Sequence, residues 1–268
     1  MDMSEFDAVA KSYDADFTAS LIGSRQRMQV YAHLAPILDT MAGKKILELG
    51  CGTGEDAIWL ARREFSVTAL DASSEMIKIA VKKTEKAGLQ SFITYRQLSI
   101  ESLEQLPEGL KFDMIFSNFG PLNCVSPPLL SSLARSLWER FSPRGQFVAV
   151  IMNKFCLWES LYFVAKGAFR KVFRRMTSQG VMAPIGNGMK IITWYFSPAT
   201  FYHYFRPYFK KHGVFPIGFF VPPSYITKVH QGSSDKWLQL LETFDQYNPF
   251  QRISSKASDH FFIHLMKK

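Results

Sequence analysis

The stretch ILELGCGTG, Ile46 to Gly54, constrains this chain more than any other. An apolar run carries an acid, Glu48, and then meets three glycines two apart, Gly50, Gly52 and Gly54. A short apolar run is how a parallel strand covered on both faces reads. Glycines directly after it let the backbone turn sharply and approach a ligand with no Cβ in the way. Glu55 to Arg63 supplies the helix that must follow. The expectation is a strand–turn–helix unit with a ligand at the carboxyl end of the strand.

Spacing narrows the ligand. A dinucleotide fingerprint requires G-x-G-x-x-G, which would put its third glycine at 55, where Glu55 stands. A P-loop requires a Lys after its last glycine, and the acid at 48 would repel phosphate. The pattern is E-x-G-x-G-x-G. Twenty-one residues after Gly50 the apolar run Ser66–Leu70 ends in Asp71. That is about where an open α/β sheet places a carboxylate against ribose hydroxyls. Asp71 as a plain helix cap is the competing reading, shared with Ser73 and Ser74. With both motifs in register, and DASSEMI following the acid, the chain resembles the class I S-adenosylmethionine (AdoMet) methyltransferase family. AdoMet bears a sulfonium and an ammonium and no phosphate, so an acid beside the glycines suits it.

Strand and helix alternate from about 44 to 152. Strands are expected at Lys45–Leu49, Ser66–Leu70, Phe92–Leu98, Phe112–Ser117 and Gln146–Met152, the last after the loop Ser142-Pro-Arg-Gly. Helices are expected at Glu55–Arg63, Ser74–Ala87 and Pro128–Phe141. Such alternation implies a doubly wound parallel sheet. The resemblance adds two strands, Val214–Phe220 and an antiparallel His260–Met266, for a mostly parallel seven-stranded, Rossmann-like α/β sheet in one domain spanning 1–268. Residues 1–41 are expected as a helical cap over the cleft. Residues 153–196 and 221–259 exceed a minimal fold and leave from the edge where ligands bind, so they are expected to roof an acceptor pocket.

The resemblance assigns roles on the cofactor side. Glu48, Gly50, Cys51, Gly52 and Gly54 shape the methionine end. Asp71 takes the ribose, and Ala72 and Met76 lie near adenine and ribose. Family members often carry an Asp after the third strand; Ser99 stands at that place, with Ile100 giving an apolar face and a backbone N–H to the adenine. Asn118 and Phe119, in the turn after the fourth strand, are expected to hold the methionyl group and line the route to the acceptor; an ordinary turn is the blander reading. Tyr13 is expected to cover the cofactor. Arg27 either pairs with the cofactor carboxylate or belongs to an amphipathic capping helix.

The acceptor side is less specific. Residues 155–225 hold 19 of the chain's 39 aromatics. Phe201, Phe205 and Phe209 recur at helical spacing and read as core; Tyr202, Tyr204 and Tyr208 fall off that stripe and suggest an aromatic-lined cavity for a flat or greasy acceptor. Phe155–Met176 reads as a basic amphipathic helix, with Lys166, Arg170, Lys171, Arg174 and Arg175 largely off its apolar stripe. It is expected as a lid, a contact with an anionic membrane surface, or a contact with a phosphate-bearing carrier. His260 and His203 are the candidate bases for an acceptor that needs deprotonating, although a lone His more often makes structural hydrogen bonds.

The formal charge of +9 allows nucleic acid, anionic lipid or an acidic substrate. The fourth strand ends in Ser117-Asn118-Phe119-Gly120, not the Asn/Asp-Pro-Pro-aromatic turn of enzymes that methylate exocyclic nitrogens, so nucleic acid is disfavoured; the Val221–Tyr225 stretch VPPSY follows a later strand. Three cysteines without C-x-x-C spacing argue for a reducing compartment and against zinc. No apolar run approaches the ~18 residues of a membrane span, and the polar N-terminus is no signal peptide, so the expected location is the cytoplasm. The leading expectation is methyl transfer from AdoMet to a small lipophilic or aromatic acceptor, releasing S-adenosylhomocysteine. An RNA or protein methyltransferase and a non-catalytic AdoMet-fold partner are the alternatives.

Overall fold

A computed structural model describes residues 3–41, 43–224 and 236–268 of the chain. Two helices come first: α1 (Met3–Tyr13) and α2 (Leu21–Asp39), separated by a π-helical turn over Asp14–Thr18. The alternating body follows: β1 (Lys45–Leu49), α3 (Glu55–Ala61), β2 (Ser66–Asp71), α4 (Ser74–Ala87), β3 (Ile93–Gln97), a 3-10 turn Ile100–Gln105, β4 (Phe112–Ser117), α5 (Pro127–Glu139) and β5 (Phe141–Met152). Then come α6 (Leu157–Ala165), β6 (Val181–Gly186), β7 (Met189–Thr193), α7 (Pro198–Phe205), β8 (Phe209–Ile217), α8 (Lys236–Gln246), α9 (Gln251–Ser254) and β9 (His260–Lys267).

Local chemistry sets several boundaries. Ser73 caps α4 by accepting from the Met76 N–H, and Gly88 ends it in a left-handed conformation. Ser197 caps α7 in the same way, with Pro198 in its first turn.

The main sheet has seven strands in the order β3-β2-β1-β4-β5-β9-β8. β1 to β5 pair in parallel, and β9 runs antiparallel between β5 and β8. The strand order reverses between β1 and β4, the switch point at which open α/β sheets bind ligands. His260 stands opposite both Met152 and Ile217. It therefore opens β9 at the same edge at which β5 and β8 end.

Apolar layers cover both faces. On one, Leu130, Leu133 and Leu137 of α5 and Phe201 and Phe205 of α7 pack with Phe147, Phe261 and Ile263. On the other, Val30 and Leu34 of α2 and Ala57 and Leu60 of α3 pack with Ile46, Phe116 and Phe262.

Four expectations change. Phe155–Met176 is not one helix: α6 ends at Ala165, Gly167 has a φ of 66°, and only a 3-10 turn, Phe169–Lys171, follows. Phe209 is not on the helical stripe but opens β8, which begins earlier than expected and stops before Gly218. The Ser142–Gly145 loop is continuous with β5, with a register irregularity opposite Phe112–Met114. The aromatic surplus is mostly core: Phe147 stacks on Phe205 at 5.1 Å, Phe205 stacks on Phe201 at 4.7 Å, and Tyr202, Tyr204 and Tyr208 pack against the same cluster. The hairpin β6–β7 was not foreseen, although its Gly186-Asn187-Gly188 turn, with positive φ at all three residues, is a strong hairpin signal.

Candidate functional site

The glycine loop leaves β1 at the switch point. Gly50, Gly52 and Gly54 all have positive φ, which a side chain would strain. Their surroundings differ. A Cβ on Gly50 would collide with the Pro121 ring, and one on Gly54 would press on Ala80 and the Tyr95 hydroxyl. A Cβ on Gly52 would meet only the Tyr13 ring, at 3.9 Å. Gly50 and Gly54 are thus held by packing, while Gly52 faces open space. Cys51 donates its N–H to Leu70 O at 2.8 Å, and burial, with Glu48 nearby, raises its thiol pKa well above the ordinary value. A protonated thiol is a poor nucleophile.

Asp71 closes the loop from β2. One oxygen accepts from Gly52 N–H at 2.8 Å and the other from Ser73 N–H at 2.9 Å. A carboxylate has about four lone-pair sites, so each oxygen keeps capacity for a further donor. Burial raises the Asp71 pKa against these two bonds.

Glu48 is buried on β1, and its Oε2 has no hydrogen-bond partner. Burial, then the charges of Asp56 and Asp71 set against that of Arg27, hold its carboxyl well above the usual range. Asn118, after β4, donates Nδ2 to Asp56 at 3.0 Å and leaves its own Oδ1 buried without a partner.

Asp56, in the first turn of α3, organises this wall. It accepts from Asn118 on one oxygen and from the Tyr31 hydroxyl on the other, at 2.8 Å. Arg27 meets the second oxygen at 2.6 Å. The Arg27 guanidinium also lies 5.4 Å from the Phe119 ring centroid. Burial works against its charge, but Asp56 beside it raises its pKa. Of the two roles open to Arg27, the structure provides an internal carboxylate partner. Asp56 was missed in the sequence; its place in the first helical turn after the glycines was the available signal.

The N-terminal cap is latched onto this loop. Asp7 accepts from the Ser73 hydroxyl at 2.5 Å and the Glu75 N–H at 3.1 Å. Asp14 accepts from Thr53 at 2.6 Å and Lys83 at 3.0 Å. Tyr13 lies between them, its phenol pKa pushed up to about 12 by burial. Met76 packs with Val9 and Ala10 of α1 and with Ile185 and Met189 of the hairpin, while Asn187 donates to Ala8 O at 3.1 Å. The cap and part of the first insertion therefore meet over the start of α4. Ala72 accepts from Gln97 at 3.4 Å, Ser99 caps the 3-10 turn after β3, and Ile100 is buried in the core.

A second cluster sits where β5 ends and β9 begins. His260 is buried, with its ring edge-on to Phe119 at 5.2 Å. Its Nδ1 lies 3.2 Å from Asp259 Oδ2, off the line of a hydrogen bond. Arg175 is 4% exposed and bridges Asp259 Oδ1 and Glu159 Oε2, both at 2.9 Å. Arg174 pairs with Glu159 through two bonds of 2.7 and 2.9 Å. Burial alone would raise the Asp259 pKa; His260 and Arg175 instead hold it well below the ordinary carboxylate range. Arg174 and Arg175 thus leave the solvated face on which the sequence put them, because two buried carboxylates require cations. His203, by contrast, is exposed on α7, with its ring against Tyr204, and is not brought to Phe119 or the glycine loop.

The residues present fit a cationic ligand with a vicinal diol. Glu48 Oε2 and Asn118 Oδ1 are buried acceptors lacking donors, Gly52 offers the approach that a Cβ would fill, and Asp71 retains lone pairs. Among the described residues no group of three or more His, Cys, Asp or Glu could hold a metal.

Comparison with known proteins agrees with this architecture. Residues 46–145 match the family described as "Methyltransferase domain". A ubiquinone biosynthesis O-methyltransferase from Psychrobacter cryohalolentis is 36% identical over 114 residues, covering 42% of this chain and 43% of that protein. An uncharacterised Haemophilus influenzae protein is 42% identical over 115 residues, 42% of this chain and 43% of its own length. The chain thus spans less than half the length of these curated relatives. Among solved structures, the CcbJ methyltransferase from Streptomyces caelestis superposes with a TM-score of 0.63 at 13% identity, covering 100% of this chain and 99% of that one. The N-methyltransferase NodS from Bradyrhizobium japonicum, in complex with S-adenosylhomocysteine, gives 0.55 at 12% identity over 98% of both chains.

Proposed function

We propose, from the premise that this chain carries a class I AdoMet-dependent methyltransferase domain, that it methylates a small, lipophilic or aromatic acceptor using AdoMet. The observation that carries the reading is the buried Glu48 carboxylate oxygen left without a partner on the strand that leads into the open Gly52 turn. When bound, AdoMet supplies a methyl group already activated on a sulfonium, and S-adenosylhomocysteine leaves. Glu48 and Asn118 Oδ1 accept from the ammonium end, and Asp71 accepts from the ribose hydroxyls with the lone pairs that Gly52 and Ser73 leave free. Tyr13 and the cap helix exclude water from the cleft.

On the acceptor side, His260 takes the proton of a hydroxyl or similar group through Nε2, which has no partner among the described residues. Asp259 faces Nδ1 and stabilises the imidazolium that forms. Arg175 keeps Asp259 ionised and in place. Phe119, in contact with both Arg27 and His260, separates the polar wall of the cofactor end from the base.

The RNA or protein reading rested on net basicity. Two of the arginines that gave it weight are engaged with Glu159 and Asp259, which lowers the positive charge free to meet phosphate.

The test is a calorimetric AdoMet titration followed by a screen of lipophilic phenols and acids for S-adenosylhomocysteine release. Absence of AdoMet binding at millimolar concentration would remove the enzyme reading. With an acceptor in hand, His260→Ala should lower kcat about 10²-fold or more, flatten the acid limb of its pH profile and leave AdoMet affinity unchanged. An unchanged pH profile would exclude His260 as the base.

A further inference from the structure

The acceptor side carries an apolar surface that neither cofactor binding nor the base requires. Among the described residues, twelve of the sixteen exposed large apolar side chains fall in 157–176 or 237–253. Phe169 and Ile253 are each 69% exposed, and Tyr247 is 74% exposed. Phe173 and Phe250 are open as well. A concentration of exposed apolar side chains of this kind points to an interaction site.

The two stretches adjoin. Leu157 donates its N–H to Ala257 O at 2.9 Å. Trp158 Nε1 reaches the Phe219 and Phe220 carbonyls at 3.0 and 3.1 Å, and Phe220 meets Phe244 of α8 at 5.7 Å. Asp245 of α8 accepts the Phe219, Phe220 and Val221 N–H groups, which ties α8 to the end of β8. Both stretches leave the sheet at the edge that bears the glycine loop, Asn118 and His260.

Charge names the occupant. Every exposed charged residue in 157–176 and 236–256 is basic: Lys166, Arg170, Lys171, Lys236, Arg252 and Lys256. The three acids in those stretches are withdrawn from the surface. Glu159 and Asp245 are buried, and Glu242 pairs with Arg25 at 2.8 Å. Exposed large apolar groups interspersed with cations alone are what an anionic bilayer surface binds, with apolar side chains in the acyl boundary and Lys or Arg at the phosphates. A second copy of the chain fits poorly, because two-fold pairing of this face would set like charges against one another. No described helix is long and apolar enough to cross a membrane, so the contact is peripheral.

We propose that the face formed by 157–176 and 236–256 docks the protein on an anionic lipid bilayer, with the acceptor entrance turned toward the lipid. Docking stands on the surface alone. Delivery of a lipophilic acceptor from the bilayer rests on the methyl-transfer reading.

The test floats the full chain with phosphatidylcholine vesicles with and without phosphatidylglycerol, at low and high salt. Anionic vesicles should carry the protein at low salt, and neutral vesicles and high salt should release most of it. Phe169→Ser with Phe173→Ser, and independently Phe250→Ser with Ile253→Ser, should each lower partitioning at least tenfold; the second pair covers the first should it fail to fold. Met28→Ser, at an apolar residue exposed on α2, should not change it. No flotation with anionic vesicles at low salt, or wild-type partitioning by both double variants, overturns docking. So does a dimer, seen by light scattering without lipid, that either double variant dissolves. An AdoMet titration of the same samples keeps the two claims apart: flotation without AdoMet binding removes methyl transfer and leaves docking intact.

Discussion

Two buried polar clusters, one at the glycine loop and one at the start of β9, handle their carboxylates in opposite ways. At the start of β9, Arg174 and Arg175 supply cations to Glu159 and Asp259, and the Asp259 pKa is held down. At the glycine loop the buried guanidinium of Arg27 goes to Asp56, while Glu48 keeps a partnerless oxygen and Glu48 and Asp71 are both pushed up. A buried charge is tolerated when it is paired. The cluster at the start of β9 pairs its charges from within and is a staple of the fold. The loop leaves acceptors open, as the proposed cationic ligand requires.

That contrast can be broken by substitution. Arg175→Met should show the largest effect. It removes the cation that bridges buried Asp259 and Glu159, and should cost about 3–5 kcal/mol of stability, read as a lower melting temperature or denaturant midpoint. An unchanged midpoint would mean that this region is held by packing and the network is incidental. Asp71→Ala should act on binding instead, weakening AdoMet by about 1–3 kcal/mol through lost charge-assisted hydrogen bonds. Equal AdoMet affinity in this variant would remove the ribose assignment.

The sequence disclosed the loop better than the cluster at the start of β9, for a physical reason. The order of β1 to β5 and the places of Gly50, Asp71 and Asn118 follow from local signals: apolar runs, glycines that need positive φ, and acids at strand ends. That cluster depends on contacts between distant segments. Arg175 reads as one more base on a helical face, and only its meeting with Asp259, 84 residues later, makes it internal. Asp259 itself was legible as the neighbour of His260 but had no periodicity to single it out. The helix expected over Phe155–Met176 failed at Gly167, and that failure leaves Phe169 and Phe173 open to solvent rather than on a packed stripe. The dense aromatics of α7 proved to be core because Phe205 meets Phe147 of β5 and Phe201 meets Phe261 of β9, partners no local window contains.

The central claim is that Glu48 awaits a cation, and proton linkage tests it most directly. In the free protein burial raises the Glu48 pKa, so the group keeps its proton to higher pH than an ordinary carboxylate. A bound ammonium favours the ionised form and lowers that pKa, so AdoMet binding should release protons in the window between the two values. Calorimetry in buffers of different ionisation enthalpy reads that release. The account predicts net release by the wild-type protein, and both weaker AdoMet binding and reduced release in Glu48→Gln. AdoMet affinity and proton release that are the same in wild type and Glu48→Gln would contradict it.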